Sequence, residues 1–233
     1  NSLSIMYHLI LLRHGQSQWN LENRFTGWTD IDLTEKGRDE AGEAGRKIAA
    51  AGLEPRYCFT SFQKRAIHTL QIALDAMDRV WLPVVKDWHL NERHYGALQG
   101  LNKADTAAKF GDEQVHIWRR SYDVAPPALT PEDPRFPGND PRYAALTDDE
   151  LPLTESLQTT IGRVRPCWEE LIAPAIRLYG SVLVAAHGNS LRALVMMLKK
   201  LTPDEILKEE IPTGSPRVFT LDERLQPVDD RYL

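Results

Sequence analysis

The stretch LILLRHGQSQWN, residues 9–20, runs apolar for four residues and then stops at Arg13, His14 and Gly15. A short, flat apolar run suits a strand buried on both faces of a parallel sheet, rather than one that alternates between core and water. VLVAAHGNS, residues 182–190, has the same shape near the other end of the chain and again carries apolar residues into His-Gly. In an open α/β sheet, ligands bind beyond the carboxyl ends of the strands. His14 and His187 therefore stand where strands deliver side chains to a pocket, each with a glycine behind it that permits close approach.

Working outward, Thr34 reads as the N-cap of a helix reaching about Ala51, with Ala41, Ala44 and Ile48 as its apolar stripe and Gly52 closing it. A short strand over 57–60 follows, then Ser61 as the cap of a helix to about Met77 with Ala66, Leu70, Ala73 and Met77 at helical spacing. Arg65 falls in that helix's first turn. A strand near 83–85, another over 182–186, and a helix from about Ser190 to Lys200 repeat the unit. This alternation predicts an α/β fold: a mostly parallel β-sheet flanked by helices on both faces.

Residues 6–233 are expected to form a single domain, with the five residues before Met6 an expression remnant. Between Val124 and Pro152 seven prolines break regular structure, marking an irregular, proline-rich insertion expected to cover the site.

The net charge of −5 argues against a nucleic-acid partner or an anionic membrane surface. No apolar run approaches the roughly 20 residues that span a bilayer. The two cysteines, Cys58 and Cys167, lack any ligand spacing, so a reduced, cytoplasmic protein is expected. The sequence has no GxxxxGK[ST], no GxGxxG after a strand and no HExxH, so neither a nucleotide site nor a metal is expected. Trp19, Trp28, Trp118 and Trp168 read as packing residues.

What converges on the two imidazoles is positive. Arg13 precedes His14, Arg65 tops a neighbouring helix, and Asn189 and Ser190 open another whose free N–H groups favour an anion. With these residues in place, RHGQSQWN, FTGWTDIDLTEKG, SFQKRAIHTL, NERHYGALQGLNKADTAAKFG, WRRSYDVAPP and AAHGNSLRALV resemble, in this order, the 2,3-bisphosphoglycerate-dependent phosphoglycerate mutases of the histidine phosphatase superfamily. The similarity runs from about Tyr7 to Leu233.

The resemblance implies that His14 accepts the phosphoryl group, that His187 hydrogen-bonds it in transit, and that Glu92 is the general acid/base for the substrate hydroxyl. By the same resemblance Arg13 and Arg65 belong to the catalytic set. Arg65, Lys103, Arg119 and Arg120 would grip phosphate and carboxylate, and Ser17, Asn20, Thr26, Gly27, Arg93, His94, Tyr95, Gly188 and Asn189 would complete the substrate contacts. It further implies isomerisation of 3-phosphoglycerate and 2-phosphoglycerate in glycolysis and gluconeogenesis, 2,3-bisphosphoglycerate as priming phosphate donor, no metal, and a homodimer or homotetramer.

The chain departs from the family's RHGES in carrying Gln16, which removes a carboxylate beside the site. Ser17, where the bisphosphoglycerate synthase branch tends to carry glycine, favours a mutase over a synthase. Two alternatives stay open. One is a phosphatase of the same superfamily, in which water takes the phosphoryl group; the other is a non-catalytic phosphate-ester binding module.

Overall fold

A computed structural model describes residues 5–233; residues 1–4, most of the expected remnant, lie outside the described residues. In chain order, strand β1 (Tyr7–Arg13) is followed by helices α1 (Gln18–Leu21) and α2 (Glu35–Ala50), β2 (Tyr57–Thr60), α3 (Lys64–Ala76) and β3 (Val84–Lys86). Helices α4 (Lys103–Phe110) and α5 (Asp112–Arg120) come next, then α6 (Leu157–Cys167) and α7 (Ala173–Tyr179). Strand β4 (Ser181–Ala186), α8 (Gly188–Lys199), α9 (Pro203–Leu207), β5 (Arg217–Leu221) and β6 (Pro227–Tyr232) complete the order.

The sheet runs β3-β2-β4-β1-β5-β6. The first four strands are parallel; β5 and β6 add an antiparallel edge absent from the sequence expectation. Alternation along β1 explains its unbroken apolar run. Leu9 and Leu11 pack with Ile161, Val164, Ile176, Leu191 and Leu194 of α6, α7 and α8. Ile10 and Leu12 pack with Ala44 and Ile48 of α2, with Leu70 and Ala73 of α3, and with Met77 at the C-cap of α3. Both faces are covered by helices, so neither set of alternate positions can be polar.

Thr34 accepts from the Gly37 N–H and caps α2 as expected, with Gly52 just beyond its end at φ +72°. The α3 cap differs from expectation: Gln63 occupies that position without a side-chain capping bond, and Ser61 turns instead to His187. α8 begins at Gly188, two residues early, with His187 as its N-cap.

The proline-rich segment carries only two short 3₁₀ turns, Pro137–Asn139 and Pro141–Tyr143. Arg135 donates to the carbonyls of Ala97 and Gln99, Arg142 pairs with Asp30, and the buried Tyr143 ring packs 4.8 Å from Trp28. Among the described residues, none of 124–152 lines the cleft of the next subsection. The insertion therefore buttresses the cleft wall from behind instead of roofing its mouth.

Candidate active site

Parallel register sets the site. Arg13 pairs with Ala186 as the last pair of β1 and β4, and the His14 N–H donates to the Ala186 carbonyl at 3.2 Å. The two histidines are thus the next residues of adjacent strands, and their ring centroids lie 4.9 Å apart, edge to face.

His14 Nδ1 lies 2.8 Å from the Gly15 carbonyl, an oxygen that can only accept, so Nδ1 carries the proton. Nε2 is left with its lone pair, and Arg65 Nε donates to it at 3.3 Å. Burial first, and then the Arg65 guanidinium, hold the His14 pKa well below the usual imidazole value. The ring is therefore neutral at pH 7, as a nitrogen nucleophile requires.

Arg65 is itself buried and anchored by the carbonyls of Gly27 at 2.8 Å and Thr29 at 3.1 Å. Burial lowers its pKa only to about 10, so it stays cationic. Gly27 sits at φ +54°, where a side chain would collide with Gln99 Oε1. Arg13 Nη1 donates to the Ile211 carbonyl at 2.8 Å, and its guanidinium crosses Gly188 so closely that a Cβ there would come within 3.1 Å of Cζ. That glycine lets the cation lie across the start of α8.

Glu92 is held by its backbone. Its carbonyl accepts from Trp28 Nε1 at 2.6 Å and from Arg163 Nη2 at 2.9 Å, and its N–H donates to Gln63 Oε1 at 2.8 Å. The carboxylate Oε1 accepts from the N–H groups of Arg93 and Asn189 at 2.7 and 3.2 Å, which leaves Oε2 uncommitted among the described residues.

Arg163 also donates to the carbonyls of His89 and Asn91 and forms a buried pair with Glu155 at 2.7 Å. Truncating one member of such a pair strands the other charge. Arg163→Ala is expected to destabilise the fold by about 3 kcal/mol in denaturant unfolding. Arg163→Lys, lacking the planar fork, should recover little of that loss.

These groups face a cleft of about 360 Å³. Arg13, His14, Asn20, Thr26, Gly27, Arg65, Glu92, Tyr95, Lys103, Arg119, Arg120, Gly188 and Asn189 line it, with His187 buried directly behind His14. Besides His187, three candidates stand back from the lining. Ser17 caps α1 by accepting from the Asn20 N–H, while its own N–H donates to Asn20 Oδ1; it positions Asn20. Arg93 is buried and ties the carbonyls of Glu155 and Trp118. His94 accepts from the Gly96 N–H through Nδ1, and burial pushes its pKa down to about 4. Gln16 points away, its Oε1 accepting from the Thr34 hydroxyl at 2.9 Å.

Residues that sequence reasoning missed also line the cleft: Arg24, Arg192 and the 207–212 segment, including Glu209 and Glu210. Arg192 Nη1 donates to Asn189 Oδ1 at 3.1 Å, a partner three residues away on one helix face, and that spacing was a usable signal. The 207–212 segment is clamped from outside by Arg217 on Glu209 and by the Tyr232 hydroxyl on the Glu210 carbonyl at 3.0 Å.

Lys103 reports both burial and charge density in the cleft. Burial, then Arg119, Arg120 and Arg13, lower its pKa to about 8. The ammonium is present at pH 7 and lost as pH rises through about 8; a bound anion favours the charged form and so draws a proton back. Affinity for a phosphorylated acid should fall between pH 7 and 9. Calorimetry in buffers of different ionisation heat should show proton uptake near pH 8 that disappears in Lys103→Met.

A family model described as the histidine phosphatase superfamily (branch 1) matches residues 9–136. Among solved structures, the native mycobacterial glucosyl-3-phosphoglycerate phosphatase is similar at TM-score 0.72 and 24% identity, with 97% of each chain covered. A protein titled mycobacterial hydrolase 1 is similar at TM-score 0.72 and 25% identity, covering 98% of this chain and 97% of that one. A putative alpha-ribazole-5'-P phosphatase from Escherichia coli reaches TM-score 0.69 at 20% identity, covering 97% of this chain and 94% of its own.

Proposed function

Because this chain belongs to the histidine phosphatase superfamily (branch 1), whose chemistry is phosphoryl transfer, we propose that it is a phosphoglycerate mutase. In this reading it interconverts 3-phosphoglycerate and 2-phosphoglycerate through a phosphohistidine at His14, in the glycolytic and gluconeogenic direction alike. The observation that carries it is the crowding of Lys103, Arg119, Arg120 and Arg13 around one small cleft, where burial and then the three guanidinium groups depress the proton affinity of Lys103. Cations packed this closely, none of the four in an ion pair among the described residues, suit a ligand with several anionic groups, such as a bisphosphorylated acid, better than one phosphoryl group alone.

The same residues fit 2,3-bisphosphoglycerate as priming donor: the Arg13 and Arg65 charges act on His14, and Lys103, Arg119 and Arg120 line the same cleft. When bound, it supplies the phosphoryl group that loads the enzyme. His14 Nε2 forms the N–P bond as the ester P–O bond breaks, while the guanidinium groups hold the equatorial oxygens of a loose transition state. Glu92 gives a proton to the leaving oxygen. In the return step Glu92 takes the proton of the attacking hydroxyl as the N–P bond breaks, so each half-reaction restores the other's protonation.

A phosphatase is the second reading, favoured by the structural likeness to the mycobacterial glucosyl-3-phosphoglycerate phosphatase along 97% of both chains. The two part over the acceptor, hydroxyl or water. Purified protein should convert 3-phosphoglycerate to 2-phosphoglycerate when primed with 2,3-bisphosphoglycerate, many turnovers for each inorganic phosphate released. Phosphate release that matches or exceeds isomerisation would assign the enzyme as a hydrolase.

A further inference from the structure

His187 Nε2 lies 2.8 Å from Ser61 Oγ, while Nδ1 is buried without a partner among the described residues. Where each orphaned hydrogen would lie gives the direction of the Ser61 bond. Ser61 Oγ already accepts from the Gln63 N–H at 3.1 Å, and Ser61 is fully buried. A hydroxyl has one proton to give, and the acceptor that the described residues offer it is His187 Nε2. Either tautomer leaves one buried hydrogen unpartnered in the free protein: with Nε2 protonated it belongs to the Ser61 hydroxyl, and with Nδ1 protonated it belongs to the ring beside His14, where a phosphoryl oxygen would accept it. Nε2 therefore accepts, and Nδ1 carries the proton. Burial and the neighbouring Arg65 hold the ring neutral, so a single tautomer is at issue.

Gln63 sets this hydroxyl and more. Its side-chain amide donates to the Gly27 carbonyl at 2.8 Å, and its Oε1 accepts from the Glu92 N–H at 2.8 Å. One buried residue thus fixes Ser61, the carbonyl that anchors Arg65, and the backbone of Glu92.

We propose that Ser61 is a positioning residue whose hydroxyl, oriented by Gln63, locks His187 as the Nδ1–H tautomer, so that the buried ring offers a donor to a phosphoryl group on His14. The proposal rests on the phosphoryl-transfer reading above. Both histidines then hold the same tautomer and use opposite sides of it. His14 spends its N–H on the Gly15 carbonyl and presents a lone pair; His187 spends its lone pair on Ser61 and presents an N–H. The other tautomer of His187 would set a lone pair against anionic phosphoryl oxygens.

The test is a long-range ¹H–¹⁵N spectrum of the full chain with labelled imidazoles, the His187 signals assigned by their loss in His187→Asn. Wild type is expected to show protonated Nδ1 and unprotonated Nε2. In Ser61→Ala, Nε2 should regain a proton, inorganic phosphate should bind about tenfold more weakly, and kcat should fall about 10²-fold with KM little changed, the scale of one lost oxyanion donor. Ser61→Thr, which keeps a hydroxyl, should restore the wild-type tautomer. A protonated Nε2 in wild type overturns the proposal, and so does Nδ1–H persisting in Ser61→Ala. Wild-type protein that shows the expected tautomer yet transfers no phosphoryl group would uphold the assignment while rejecting the functional reading.

Discussion

His14→Ala is expected to lower phosphoryl transfer by on the order of 10⁴-fold or more, because the substitution removes the covalent route itself and not one contact among several. The structure makes this loss hard to bypass. The unprotonated nitrogen is Nε2, the ring is held neutral, and Arg65 Nε donates to that nitrogen. His187 cannot take over, since its Nε2 is engaged by Ser61. Wild-type protein incubated with labelled 2,3-bisphosphoglycerate should acquire an acid-labile, base-stable phosphoryl group, and His14→Ala should acquire none. Labelling or isomerisation that survives in the variant would refute a phosphohistidine at this position.

Glu92→Gln should leave ligand binding nearly intact and lower kcat by about 10³-fold, within the range attributable to general acid–base catalysis. The replacement is close to isosteric, and its amide oxygen can still accept from the Arg93 and Asn189 N–H groups that hold Oε1. Gone is the capacity to hand a proton to, or take one from, the ester or hydroxyl oxygen. Single-turnover kinetics sharpen the point. Phosphoryl transfer to His14 from an alkyl phosphate, whose leaving alkoxide needs a proton, should slow far more than transfer from an aryl phosphate, whose leaving oxygen needs none. Equal slowing with both donors would mean that Glu92 positions the substrate and does not manage its proton.

Much of the frame was legible because burial on two faces leaves an unmistakable residue pattern. β1 and β4 are apolar without alternation, and the stripes of α2 and α3 recur at helical spacing. β5 and β6 escaped because they close the sheet at an edge. β6 has an exposed outer run, Val-Asp-Asp-Arg-Tyr, whose charges suit an edge strand and blur its period.

The site divides along similar lines. Residues at strand ends, such as His14 and His187, are placed by the sheet, so position in sequence predicts position in space. Those within turns are not. In Glu92-Arg93-His94-Tyr95 successive side chains leave the backbone in different directions; Glu92 and Tyr95 reach the cleft while Arg93 and His94 turn into the protein. Family motifs name the whole run and cannot separate the two sets. Arg24, between two quoted motifs, was overlooked for the converse reason; Arg192 lies inside AAHGNSLRALV, where the contacts implied by the resemblance stopped at Asn189.

The place of β4 between β1 and β2 bears on how the chain comes to be active as it is made. A nascent polypeptide shorter than about the first 180 residues holds both flanking strands but not the one that joins them, so two greasy backbone edges wait for a late arrival. Until that insertion, the imidazole following β1 has no companion, and no partially synthesised form can turn over. Premature termination should therefore yield sticky, inert fragments in place of weakened enzyme, with translation speed through the final quarter deciding how long the gap stays exposed.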